Sequence, residues 1–124
     1  MTDDRSIDFS LLSKSGSTCT THAAGETIFA QGDVGDRMYL VRTGEVEIVH
    51  GGRVVDTLGP GEIFGEMALI DGSPRSAEAR TKGACELQPI DERAFLSLVR
   101  ETPYFALDVM RTLALRLRAM NERI

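Results

Sequence analysis

The sequence predicts a mainly β fold, an antiparallel sandwich or roll with flanking helices, and three observations carry that prediction. Glycines recur at short intervals between Gly25 and Gly83, and the segments between them are short and alternating, the pattern of strands joined by tight turns. Val46 and Ile48 alternate with Glu45 and Glu47, the period of two expected of a half-buried strand. After Ile90 the apolar residues change to a helical period and keep it to the end of the chain. With 124 residues and 42% hydrophobic content, the sequence has material for one core and one domain, residues 1–124.

The elements follow in order. Residues 7–23 carry a weak helical tendency at Ile7, Phe9, Leu11 and Leu12, then a polar Ser/Thr/Gly run that reads as a loop. Residues 25–90 form the β part, with strands expected near Glu26–Ala30, Arg37–Thr43, Glu45–His50, Arg53–Leu58, Ser76–Thr81 and Ala84–Ile90. Turns fall at Thr43-Gly44 and at Gly51-Gly52, the latter a tight-hairpin signal. Residues 91–124 are helical. Asp91 caps a helix reaching about Arg100, with Ala94, Phe95, Leu98 and Val99 facing inward, and Thr102-Pro103 opens the next, Thr as cap and Pro at the first position.

That last helix, from Pro103 to Ile124, would be roughly 33 Å long. Ala106, Met110, Leu113, Leu117, Met120 and Ile124 follow a 4-3-4-3-4 spacing, a heptad seam that suits dimerisation or packing on the helix's own roll. Leu107, Ala114 and Leu115 give a second apolar face, so one face is free to dock while the other pairs. Arg111, Arg116, Arg118 and Arg123 read as a solvated face.

Composition narrows the function. The net charge of −5 argues against direct nucleic-acid binding, which rewards clustered Lys and Arg. Met1-Thr2-Asp3-Asp4-Arg5 has the wrong character for a signal peptide, and no apolar run is long enough to span a bilayer, so no membrane insertion and a cytoplasmic location are expected. Cys19 and Cys85 are expected to be reduced. Cys19 and His22 lack a second pair to complete a zinc site, and His22 and His50 have no nucleophile beside them. Neither a metal nor a catalytic residue is expected, and the chain does not read as an enzyme.

The most specific segment is Phe64-Gly65-Glu66-Met67-Ala68-Leu69-Ile70-Asp71-Gly72-Ser73-Pro74-Arg75-Ser76-Ala77. Along a continuous helix, Glu66 and Arg75 would stand roughly 13 Å apart, but Asp71-Gly72-Ser73-Pro74 folds the chain back. A short helix opening near Gly65 offers free amides and its positive dipole end to an anion, and Gly65 permits close approach. Arg75 can grip two phosphate oxygens, Ser76 can add a hydroxyl and an amide, and Glu66 suits a ribose hydroxyl. A structural Glu66–Arg75 salt bridge across the loop is the plain alternative.

This segment resembles the phosphate-binding cassette of cyclic nucleotide-binding domains, as found in catabolite activator proteins and in regulatory subunits of cyclic-AMP-dependent protein kinases. Gly25-Glu26-Thr27-Ile28-Phe29, Gly32-Asp33, Tyr39-Leu40-Val41 and Gly44-Glu45-Val46 extend the similarity over most of the chain. The resemblance implies an antiparallel, jelly-roll-like β-roll with a phosphate-binding cassette over 64–77 that contains a short helix, and a long C-terminal helix. It implies that Glu66 binds the ribose 2′-hydroxyl, that the backbone around Gly65, Met67 and Ala68 lines the ribose phosphate, that Arg75 and Ser76 hold the cyclic phosphate, and that Phe64 is a further ligand-binding residue. In the related transcription factors the long helix is the dimer interface and also touches the base.

Two departures qualify it. The Thr-Ser pair that meets adenine in catabolite activator proteins is replaced by Met120 and Asn121, leaving the Asn121 amide as the candidate base contact. Ser76 stands where Thr accompanies cyclic GMP and Ala cyclic AMP in related eukaryotic domains, so cyclic AMP is favoured over cyclic GMP. The chain ends at Ile124, and the expectation is therefore a stand-alone sensor that acts through its C-terminal helix, as a homodimer or on an unknown effector protein. The alternative is a dimeric adaptor that keeps the fold without the nucleotide.

Overall fold

The structure is a computed structural model and describes residues 18–122, with side chains as far as Ala119. The apolar positions expected at 7–12, and Arg123 and Ile124, lie outside the described residues. Two four-stranded antiparallel sheets face each other. The first has the order β1 (Thr20–His22), β8 (Cys85–Asp91), β3 (Arg37–Thr43), β6 (Ile63–Phe64); the second has β2 (Thr27–Phe29), β7 (Glu78–Thr81), β4 (Val46–His50), β5 (Arg53–Leu58). Three helices complete the described chain: α1 (Glu66–Asp71), α2 (Glu92–Glu101) and α3 (Pro103–Glu122). None of the described helices is long and apolar enough to cross a membrane.

The strands of the first sheet feed two cores because successive side chains point to opposite faces. Val41, Phe64 and Leu87 join Val46, Leu58 and Ala79 of the second sheet in the roll interior. Met38, Leu40, Ile63 and Ile90 point the other way and pack with Leu98, Phe105 and Val109 of the helices. Phe105 is fully buried and meets Phe95 edge-on at 5.4 Å. Burial of this kind makes truncation to Ala cost about 3–5 kcal/mol.

The expected strands between Thr27 and Asp91 all form, and Gly51 and Gly52 close the β4–β5 hairpin with φ of 60° and 77°, as a turn of type I′ requires. Two short strands differ from the sequence reading. Thr20–His22 is a strand where a loop is expected, because β8 offers it an edge, with Thr20 opposite Leu87 and His22 opposite Cys85. Ile63–Phe64 pairs with Tyr39 and Leu40. Cys19 and Cys85 are both free, and the His22 ring bridges Thr20 and Glu26.

The helical part begins as expected, the Asp91 side chain accepting a 2.8 Å bond from Ala94 N. Helix α3 docks through a different face from either apolar stripe of the sequence reading. Phe105, Val109 and Thr112 are buried and Leu113 packs beside them, whereas Met110 and Leu117 are 58% and 59% exposed and Leu115 is 41% exposed. The roll therefore takes Phe105 and Val109. Met110 and Leu117 of the seam, and Ala114 and Leu115 of the second face, stay outside.

Candidate functional site

The Phe64–Ala77 segment folds as a strand end, one short helix and a return. Helix α1 opens at Gly65, whose φ of 76° lies in the left-handed region and which supplies no side-chain cap. Its first-turn amides consequently lack the side-chain partner that a Ser or Asp cap would provide. Gly72 (φ 73°) ends the helix, its amide bonded to Ala68 O, and the Asp71 carboxylate accepts from Ser73 N at 2.9 Å. Hydrogen bonding from the side chain and the amide of Ser73 holds the Asp71 carboxyl below the usual aspartate range.

Two backbone bonds then pin the return to the 32–35 loop. Arg75 N donates to Asp33 O at 2.8 Å, and Gly32 N to Arg75 O at 2.7 Å. The Arg75 side chain turns inward from there and is 6% exposed. Nη1 donates to Gly65 O and Nη2 to Arg37 O, both at 2.8 Å, while Nε is buried without a hydrogen-bond partner among the described residues. The guanidinium lies 4.1 Å from the Phe29 ring centroid, a cation–π contact. Phe29, Tyr39 and Phe64 form the wall behind it, with Tyr39 and Phe64 stacked at 5.2 Å. Burial pulls the Arg75 pKa down, opposed chiefly by Tyr39 and by Asp36.

Glycine at two positions makes room for this side chain. A Cβ on Gly35 would sit 2.3 Å from Arg75 Nε, and one on Gly65 2.6 Å from Nη1 and 3.3 Å from the Phe29 ring. No carboxylate of the described residues forms an ion pair with Arg75. Glu66 instead pairs through Oε1 with Nη1 of Arg116 from α3, and Arg116 Nη2 also bonds to Ile63 O. The Glu66 side chain is 7% exposed and that of Arg116 26%.

The sequence reading brings Glu66 and Arg75 together; in the structure Arg75 bonds to the carbonyl of Gly65, next in sequence to Glu66, while the Glu66 carboxylate pairs with Arg116. Arg116, read as part of a solvated face, belongs to the site. Arg111 and Arg118 remain on the exposed side of α3, with Arg111 near Asp108. Phe64 and Ala68 are buried, Met67 is 49% exposed, and Ser76 is exposed with its carbonyl 3.2 Å from His50 Nδ1. Asn121 falls in the last turn of α3, its side chain outside the described set. Gly35, Phe29, the Arg37 carbonyl and Arg116 were not legible as site members. Gly35, three positions beyond Gly32, offered the nearest signal.

Comparison with known proteins gives the same reading. The sequence pattern of the cyclic nucleotide-binding domain matches residues 20–102. The chain is 42% identical over 99 residues to the cyclic AMP receptor protein of Thermus thermophilus, covering 76% of this chain and 46% of that one, so it spans about half the length of that relative. The crystal structure of the Thermus thermophilus catabolite activator protein superposes with a TM-score of 0.81 at 37% identity, over 91% of this chain and 55% of that one. A structure from a cyclic-GMP-dependent signalling pathway that regulates bacterial phytopathogenesis superposes with a TM-score of 0.78 at 29% identity, over 98% and 95% of the two chains. With the two-sheet roll, the short cassette helix and the matched residues all in agreement, the chain belongs to the cyclic nucleotide-binding domain family.

Proposed function

We propose that this domain binds a cyclic purine nucleotide, cyclic AMP in preference to cyclic GMP, and passes the event to a partner protein through its last helix. The observation that carries the reading is the buried Arg75 cation, which is satisfied by two carbonyls and an aromatic face but has no anionic partner among the described residues. A buried charge needs compensation, and a cyclic phosphate at the uncapped start of α1 supplies it. Arg75 and Ser76 hold the phosphate. Gly65, Met67 and Ala68 offer backbone around it, Phe64 backs the wall, and Glu66 takes the ribose hydroxyl through Oε2, since Oε1 is taken by Arg116. Asn121 is the candidate contact to the base.

The Glu66–Arg116 pair supports the second half of the proposal, because it ties the nucleotide's ribose site to α3. A ligand shifts an equilibrium only by its differential affinity for two states, and this pair gives the position of α3 a direct effect on the site. Exposed Met110 and Leu117 favour a homodimer through the same helix. Ser76 after Arg75 and the likeness to a cyclic AMP receptor protein favour cyclic AMP.

Calorimetric titration with cyclic AMP and cyclic GMP tests the reading. Binding of cyclic AMP with the higher affinity is expected, and Arg75→Ala is expected to weaken it by about 2–5 kcal/mol, roughly 30-fold or more. Tighter binding of cyclic GMP overturns the preference. No heat and no thermal shift with either nucleotide leaves the adaptor without nucleotide as the better description.

A further inference from the structure

The two cysteines stand in opposite electrostatic settings. Cys85 is buried at 3% exposure, and its Sγ donates to the carbonyls of Glu45 and Gly83 at 3.3 and 3.4 Å. Burial pushes the Cys85 pKa up. Cys19 is half-exposed and meets a cation: Arg42 Nη1 donates to its Sγ at 3.2 Å. The sulfur in turn donates to Gln88 Oε1 at 3.2 Å. The thiolate is the nucleophilic form of a cysteine, and the guanidinium N–H is a donor from which its sulfur can accept.

The Gln88 amide provides a second and independent observation. Gln88 is 1% exposed, yet its Nε2 has no hydrogen-bond partner among the described residues. A buried amide donor left without a partner costs about 1–3 kcal/mol, and this one belongs to the amide that already touches Cys19. Strand order explains the grouping. Gln88 on β8 lies between β1, which Cys19 immediately precedes, and β3, which carries Arg42. Leu40 stands opposite Gln88, and Arg42 falls where the β3–β8 register shifts between Val41 and Thr43.

We propose that Cys19 is a peroxide-reactive thiol and that Arg42 and Gln88 hold its sulfenate product. The thiolate sulfur attacks one oxygen of hydrogen peroxide, the S–O bond forms as the O–O bond breaks, and the departing hydroxide takes the proton of the new S–OH group, leaving the sulfenate and one water. Sulfur is oxidised by two electrons and the peroxide is reduced by two. The new oxygen brings the acceptor that Gln88 Nε2 lacks, while the Arg42 guanidinium stabilises the negative charge of reactant and product. The site lies apart from Glu66 and Arg75 and does not depend on the nucleotide reading.

The test treats the folded, reduced protein with hydrogen peroxide in the presence of dimedone and maps the adduct by peptide mass spectrometry. A single adduct at Cys19 is expected, with Cys85 unlabelled. Arg42→Met, shown to be folded by circular dichroism, is expected to slow labelling by about tenfold or more, as follows from loss of a hydrogen bond to a charged group. Labelling absent from Cys19, labelling shared equally with Cys85, or an unchanged rate in folded Arg42→Met overturns the proposal. The mapping on the parent protein decides the first two outcomes without any variant.

Discussion

Replacing Arg116 with Met cuts the tie between α3 and the cassette while keeping a long apolar stem on the helix. Exposed ion pairs contribute about 0.2–1 kcal/mol, whereas breaking a fully buried pair costs about 3–5 kcal/mol because a charge is left behind. The Glu66 side chain is 7% exposed and that of Arg116 26%, so the pair falls between these limits and the variant should lose about 1–3 kcal/mol of stability. Nucleotide affinity should fall as well, by about tenfold, since an uncompensated carboxylate would then stand beside an anionic phosphate. Glu66→Gln removes that charge, and the double variant should recover part of both losses. Urea denaturation and calorimetry on the four proteins close the cycle. Stability changes additive to within about 0.3–0.5 kcal/mol would refute a coupling between cassette and last helix.

Gly35→Ala separates the site from the fold. The new Cβ would displace the far end of the Arg75 side chain rather than any backbone, so unfolding free energy should change by under about 1 kcal/mol while calorimetry shows nucleotide affinity falling by about tenfold or more. Leu117→Asp places a charge on an exposed position of α3, and sedimentation should show the proposed homodimer weakened; identical sedimentation of variant and parent would confine the stripe to surface. Asp91→Ala removes the cap bond to Ala94 N and should cost about 1 kcal/mol in chemical denaturation.

The parts of this molecule that were legible in sequence are those whose information is local. Alternation over Glu45–Ile48 reveals a strand because the pattern repeats within one element. Thr20–His22 and Ile63–Phe64 are too short to hold a period, and they are strands only through the edges that β8 and β3 present. The same division runs through the site. Glu66 and Arg75 lie within one segment with its own turn, and their importance shows in that segment. Arg116 is one of several arginines on a helix, and nothing in the helical period says which of them meets a carboxylate fifty positions upstream. Gly35 matters because the Arg75 side chain folds against it, a fact of tertiary packing alone. The docking face of α3 was missed for a related reason: two apolar stripes were visible, and the roll selected Phe105 and Val109 by fit.

The aromatic wall behind Arg75 gives the protein an optical label of its own. The chain contains no tryptophan and two tyrosines. Tyr104 is 70% exposed, while Tyr39 is stacked on Phe64 with its ring centroid 6.0 Å from the Arg75 guanidinium carbon. Any tyrosine emission that survives Tyr104→Phe must come from the ring beside the cradle. Occupancy can therefore be followed in solution without a dye, a tag or an introduced chromophore.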